Sequence, residues 1–201
     1  MTAFKLSFPP EVADLVRARY AAARVILEYG SGGSTLLGAG LPGKLIFSVE
    51  SDRDWAIALQ TRIDLADLPS PAIIHYADIG PTGRWGRPVD DSHWHKYHHY
   101  PLQIWSAPFF RHPDLILIDG RFRAACLVAA CLHITRPVTV LFDDYVDRAA
   151  YHVVERMVQP RQTVGRMAEF HLTPQSWPVW TQDLMVELCT KRTIAGSDIT
   201  Y

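Results

Sequence analysis

Six residues, Gly30-Ser31-Gly32-Gly33-Ser34-Thr35, follow directly on a short apolar run, Arg24-Val25-Ile26-Leu27-Glu28-Tyr29, and lead into a helix-like piece. The run has the aliphatic and β-branched content of a buried strand, and the glycines allow positive φ and close backbone approach, so the segment reads as strand, glycine turn, helix. In parallel sheets ligands bind beyond the carboxyl ends of the strands, at the topological switch point, where the first strand supplies such a turn. The alternation continues, with strands over 44–49, 72–76, 115–118 and 138–142 and helices over 11–22, 52–62 and 121–134. Apolar strands alternating with helices predict a parallel sheet covered on both faces.

Residues 80–113 are rich in Gly, Pro, His and aromatic side chains. That stretch is too long for a bare connection and predicts a helix near 97–107 with a functional loop before it. A helix is expected from Asp147 to about Met157 and a further strand over 162–172. Pro174 and Pro178 break the pattern after Leu172, and 183–190 fits either a terminal strand or a short helix. With 201 residues, 48% hydrophobic and 20% charged, the chain suits a single domain over 1–201 carrying a substrate-side insertion at about 80–113. A domain of this size buries roughly 70% of its unfolded surface, so a metal would serve chemistry and not folding.

The 20 Lys+Arg and 21 Asp+Glu nearly cancel, to a net charge of -1, which gives no counterion-release reason to bind nucleic acid or anionic lipid. No apolar stretch reaches the roughly 18 residues of a membrane span, and Pro9-Pro10 soon interrupt the start, Met1-Thr2-Ala3-Phe4-Lys5. Cys126, Cys131 and Cys189 form an odd set without a Cys-x-x-Cys, and read as reduced core residues. A cytoplasmic protein is expected.

A dinucleotide fingerprint beginning at Gly30 needs glycine at position 35, where Thr35 stands, and no Gly-x-x-x-x-Gly-Lys-Ser/Thr is present for a triphosphate. Two acids remain: Glu28, two residues before the turn, and Glu50 at the end of the second strand. An acid at Glu50 accepts hydrogen bonds from ribose hydroxyls, and Glu28 suits a ligand carrying an ammonium group. Glu28 to Thr35, then Val49-Glu50-Ser51, then Ala77-Asp78-Ile79-Gly80 resemble the three cofactor motifs of class I S-adenosylmethionine-dependent methyltransferases, over roughly residues 24–150. With the alternation, the resemblance implies an α/β fold, a Rossmann-like doubly wound, mostly parallel sheet of about six or seven strands with helices on both faces. It implies S-adenosylmethionine as cofactor. Glu28, Gly30, Ser31 and Gly32 would cradle the methionine end, Glu50 and Ser51 the ribose, and Asp78 and Ile79 the adenine. Ser34 replaces the usual third small residue, a mild departure because serine is compact and caps helices well.

Leu115-Ile116-Leu117-Ile118-Asp119-Gly120-Arg121 places Asp119 at the end of the fourth strand, facing the same crevice, and resembles the fourth methyltransferase motif. Asp119 is a candidate for cofactor binding and for catalysis; capping the next helix is an equal alternative. Arg121 and Arg123 are either receptors for a substrate anion or a solvated helix start. Asp143 and Asp144 end the fifth strand. With Asp119 they look like the magnesium-holding acids of catechol-type O-methyltransferases, but the third ligand there is typically an amide, so magnesium at Asp119, Asp143 and Asp144 is the less favoured reading.

Residues 85–100 carry His93, His95, His98 and His99 among Trp85, Trp94, Tyr97 and Tyr100. With no cysteine near and no finger spacing, a substrate-facing lid is expected in preference to zinc, with Trp85 and Trp94 beside the acceptor and His93 or His95 as a second candidate base. The function expected is methyl transfer from S-adenosylmethionine to an unidentified, small-molecule acceptor, without nucleic acid or membrane. A non-catalytic cofactor-binding subunit is the alternative, and an NAD-dependent oxidoreductase a weaker one, disfavoured by Thr35.

Overall fold

A computed structural model describes residues 4–191, so the expectation of one domain over 1–201 and the opening Met1-Thr2-Ala3 reach beyond the described residues. The elements run α1 (Pro10–Ala22), β1 (Val25–Tyr29), α2 (Gly33–Ala39), β2 (Leu45–Glu50), α3 (Arg53–Asp64), β3 (Ala72–Tyr76), α4 (His99–Leu102), β4 (Leu115–Ile118), α5 (Arg123–His133), β5 (Val138–Phe142), β6 (Gln162–Val164), β7 (Met167–Leu172) and α6 (Trp180–Thr190). Pro10 opens α1 and Glu11 sits in its first turn, where a missing N–H and a negative charge both suit a helix start.

Seven strands form one sheet in the order β3-β2-β1-β4-β5-β7-β6. Strands β1 to β5 pair in parallel and β7 antiparallel, which is the mostly parallel, doubly wound sheet expected. The order reverses between β1 and β4, and a crevice opens beyond their carboxyl ends. The four side chains of β4 are all buried, each contributing about 1.5–3 kcal/mol.

Strand alternation divides the core between the two faces. Ile26, Ile46, Leu115 and Leu117 pack with Val12, Val16 and Tyr20 of α1 and Leu59 of α3. Leu27, Tyr29, Phe47, Ile116 and Ile118 face the other way, against Cys126 to Ala130 of α5 and Leu184 and Leu188 of α6. Glu28 shares the parity of Ile26, which sends its carboxyl toward α1.

Three sequence expectations change and one open alternative is settled. The strand over 162–172 is a hairpin, because Gly165 takes φ +52° and turns the chain between paired Val164 and Met167. The helix near 97–107 is the single turn α4 flanked by 3₁₀ turns at Trp94–Lys96 and Gln103–Ser106. Residues Ala149–Arg156 are 3₁₀, not α. The open 183–190 region belongs to α6, whose Leu184, Met185, Leu188 and Cys189 are buried with helical spacing against α5. All three cysteines are buried and unpaired. Among the described residues no helix is long and apolar enough to cross a membrane.

Candidate active site

The turn after β1 is held from three sides. The Gly30 N–H donates to the Val49 carbonyl at 2.9 Å and the Asp119 N–H to the Tyr29 carbonyl at 2.9 Å, which ties the ends of β1, β2 and β4 together. Gly30 takes φ +103°, and a Cβ there would stand 2.8 Å from Gly120 Cα, so the two loops meet backbone to backbone. A Cβ on Gly33 would strike the main chain of Lys5 and Leu6, which cross over the turn. Gly32 is different: its backbone is extended and a Cβ would meet no atom within 4 Å.

Glu28 sits behind the turn. It is fully buried, accepts Tyr20 Oη–H at 2.6 Å and Thr35 Oγ1–H at 2.5 Å, and does not line the cavity, so its expected place beside a ligand ammonium is corrected. Thr35 Oγ1 in turn accepts the Gly32 N–H at 3.0 Å. Burial raises the Glu28 pKa against these hydrogen bonds. Thr35, which disfavours a dinucleotide, thus links a buried acid to the glycine turn, a role that spacing alone did not show.

A cavity of about 530 Å³ opens where β1 and β4 part, and Gly30, Ser31, Gly32, Glu50, Ser51, Trp85, Asp119 and Arg121 line it. Glu50 Oε1 accepts the N–H groups of Ser51 at 2.7 Å and Asp52 at 2.9 Å, while Oε2 has only a 3.3 Å contact from the Ser31 N–H. Burial raises its pKa. Ser51 Oγ donates to the Gly86 carbonyl at 2.9 Å, which brings the Arg84–Gly86 turn over the end of β2. Trp85, 69% exposed with φ 65°, stands at the rim. Two walls lay outside the sequence reading. Trp55 of α3 donates its indole N–H to the Ser31 carbonyl at 2.9 Å, and the segment from Phe4 to Phe8 lines the cavity beside it, with Phe4 edge-on to Trp55.

Several other candidates fall outside this cavity. Asp78 pairs with Lys96 at 2.7 Å and accepts the Gly80 N–H, both of which hold its carboxyl below the usual range, and Ile79 is a core residue. His93 packs on Gly80 and bonds Ser92, His95 and Trp94 point their surface to solvent, and Tyr97 and Tyr100 are buried against Phe122. Residues 94–102 are therefore a packed support with an outer histidine face, because the tyrosines supply the burial that a free lid lacks. Of this segment Tyr100 alone reaches the cavity.

Asp119 does line it. It is not the helix cap, since α5 starts at Arg123 after Phe122 in the left-handed conformation. Arg123, 6% exposed, holds Asp119 at 3.0 Å and Asp144 at 3.2 Å and donates to the carbonyls of Gly120 and Asp143. Arg166, brought back by the β6–β7 hairpin, takes buried Asp143 with two bonds of 2.9 and 2.7 Å, and Arg148 takes Asp144 at 2.7 Å. Arg123 is thus committed to carboxylates, which removes it as a receptor for a substrate anion. The three acids face three guanidinium groups, so the magnesium alternative does not fit: a divalent cation would displace ion pairs already formed in a buried setting. Among the described residues no group of three or more His, Cys, Asp or Glu side chains is arranged to hold a metal.

Burial pushes the Asp119 carboxyl up to about 7, against Arg123 and with help from Asp143. A raised carboxyl contributes stability below its unfolded value, near 3.8, and loses it as pH rises through about 7. Asp119→Asn is expected to raise the thermal midpoint over wild type more at pH 8 than at pH 5, with the gain vanishing only as pH falls below about 3.8. An equal effect at both pH values in calorimetric scans would remove the shift as its cause.

The fold has counterparts among solved structures. A methyltransferase-like protein from Silicibacter pomeroyi DSS-3 is 45% identical, over 94% of this chain and 98% of that one, with TM-score 0.90. The O-methyltransferase from Bacillus cereus, solved in complex with SAH, is 17% identical over 86% and 84% with TM-score 0.54. The SAM-dependent O-methyltransferase from Thermotoga maritima is 8% identical over 87% and 68% with TM-score 0.52. These last two share the fold alone. No family model and no curated protein matches. A seven-stranded sheet with its glycine turn at the β1/β4 switch, joined to a near-complete alignment at 45% identity, places this chain in the class I S-adenosylmethionine-dependent methyltransferase family.

Proposed function

We propose that the protein is an S-adenosylmethionine-dependent methyltransferase acting on a small-molecule acceptor at the β1/β4 crevice. The observation that carries this reading is the joint lining of one cavity by the glycine turn, Glu50 and Asp119. The residues present suit that cofactor. Gly32 offers a cradle that a side chain would fill, and Glu50 Oε2 keeps acceptor capacity for ribose hydroxyls. Trp55 and Phe4 supply apolar surface. Gly30, Ser31 and Gly32 would hold the methionine end with Asp119, and Glu50 with Ser51 the ribose. Glu28 acts through Thr35 as a positioning residue for the turn. Asp78 and Ile79 bound the cavity only indirectly in this arrangement, by fixing the 78–99 segment.

Bound S-adenosylmethionine supplies a methyl carbon already activated by its sulfonium. The chain's own task is then to position an acceptor and take its proton. Asp119 suits the second duty: it lines the cavity, and burial places its pKa close to neutrality, where it exchanges a proton most readily. Trp85, at the rim, offers an aromatic face to the acceptor. A cavity of about 530 Å³ matches a small-molecule site, and the near-zero net charge favours no polyanion.

Calorimetry with S-adenosylhomocysteine and with NAD tests the cofactor, and methyl transfer over an acceptor panel tests the activity. Glu50→Ala is expected to weaken S-adenosylhomocysteine binding by about 1.5–3 kcal/mol, as for a hydrogen bond to a charged group. Glu50→Gln, which keeps an oxygen for the Ser51 and Asp52 amides, should lose less. Unchanged affinity in both folded variants rejects the ribose assignment.

A further inference from the structure

Among the described residues three buried side-chain nitrogens have no hydrogen-bond partner: His75 Nε2, Arg87 Nε and Arg121 Nε. Two of the three belong to arginines that feel each other's charge, one of them in the lining of the same cavity. Arg121 lines it directly after Gly120, and Arg87 follows Gly86, another lining residue. Among the described residues neither guanidinium has an ion pair, whereas Arg123, Arg148 and Arg166 are all matched to Asp119, Asp143 and Asp144. A buried guanidinium nitrogen without a partner is costly, and two cations that repel each other add to the cost. Burial lowers the Arg121 pKa, and the charges of Arg123 and Arg87 lower it further, so the pair is electrostatically short of one anion.

Resting on the methyltransferase reading, we propose that Arg121, assisted by Arg87, receives an oxyanion of the acceptor, so that the substrate class is a small carboxylate or phosphate with an apolar body. The planar fork of a guanidinium matches both groups bidentately. Trp85 and Tyr100, also in the lining, suit the apolar body. The α-carboxylate of the methyl donor is the rival anion. Lys5, which also lines the cavity and whose main chain crosses Gly33, is a second cation open to that carboxylate, and the donor arm of the test separates the two assignments.

The test uses the full chain saturated with S-adenosylhomocysteine, titrated with benzoate, with phenyl phosphate and, as neutral isostere, with benzamide. Benzoate or phenyl phosphate should bind and benzamide should not, and the stronger of the two anions names the group. Arg121→Met should weaken the anion at least tenfold, Arg121→Lys less, and Arg87→Met several-fold, with S-adenosylhomocysteine affinity within about twofold of wild type in each. That last readout also certifies the fold. Equal binding of benzamide, no binding of either anion to wild type, or full anion affinity in Arg121→Met overturns the proposal while leaving the methyltransferase reading in place. Loss of S-adenosylhomocysteine affinity in Arg121→Met, with that for 5′-methylthioadenosine unchanged, overturns it too and gives the arginine to the donor carboxylate. Failure of wild type to bind S-adenosylhomocysteine at all is instead the failure of the methyltransferase reading.

Discussion

Gly32→Val is expected to lower S-adenosylhomocysteine affinity by about 100-fold or more, near 3 kcal/mol, while the unfolding midpoint stays within the spread of surface substitutions. The backbone at this residue is extended, which valine adopts freely, and the added Cβ meets no atom within 4 Å. Its N–H remains free to donate to Thr35 Oγ1. The isopropyl group therefore occupies cavity and nothing else, which is why binding falls and the fold does not. Gly30→Ala supplies the contrast. There a Cβ lies 2.8 Å from the Gly120 main chain and φ is +103°, so stability should fall with affinity. Calorimetry and thermal scans on both variants separate the two effects. Retained affinity in Gly32→Val places the ligand elsewhere.

Arg123→Met should cost about 3–5 kcal/mol of stability, the range for removing one partner of a buried ion pair. The side chain is 6% exposed and its loss leaves Asp119 and Asp144 short of a cation and the carbonyls of Gly120 and Asp143 short of a donor. Arg166 and Arg148 continue to hold Asp143 and Asp144, so Asp119 carries most of the imbalance. Arg123 opposes the rise of the Asp119 pKa, and without it that carboxyl rises beyond about 7. The loss should accordingly be larger at pH 8 than at pH 5.5, where the acid is protonated in the folded chain. Urea unfolding at the two pH values reads this directly, and a cost below 1 kcal/mol at pH 8 would show the acids to be hydrated and not dependent on Arg123.

The strands of the parallel sheet were legible because runs such as Leu115-Ile116-Leu117-Ile118 are apolar throughout, as strands buried on both faces must be. Their carboxyl ends then placed Gly30, Glu50 and Asp119 on one edge of a parallel sheet, and the strand order seen in the structure brings them together. Glu28 was harder. Its sequence position is right for a ligand contact, and only the strand parity, shared with Ile26, shows that it faces α1 and Tyr20. The arginine network was not legible at all, because Arg166 reaches Asp143 by way of a hairpin 23 residues on, and no local pattern pairs those positions. Gly165 was the missed signal there: a lone glycine inside a strand pattern, with one polar residue after it, is enough to turn it. Likewise Asp78 has motif spacing but also Lys96 within reach, and a nearby cation outcompeted the cavity for its carboxylate.

The three unpaired thiols have a practical meaning. Cys126 and Cys131 stand on α5 and Cys189 on α6, all buried, and burial pushes the last two up to about 12 and raises the first well above its usual value. Since the thiolate is the reactive form, a thiol-directed reagent meets almost nothing to modify while the helices stay on the sheet. Modification then clocks the opening of that face, separately from the ligand crevice, and its rate ranks variants without any label being introduced. The same thiols, once released by heat, are free to crosslink between chains, so a reductant should raise the yield of refolding.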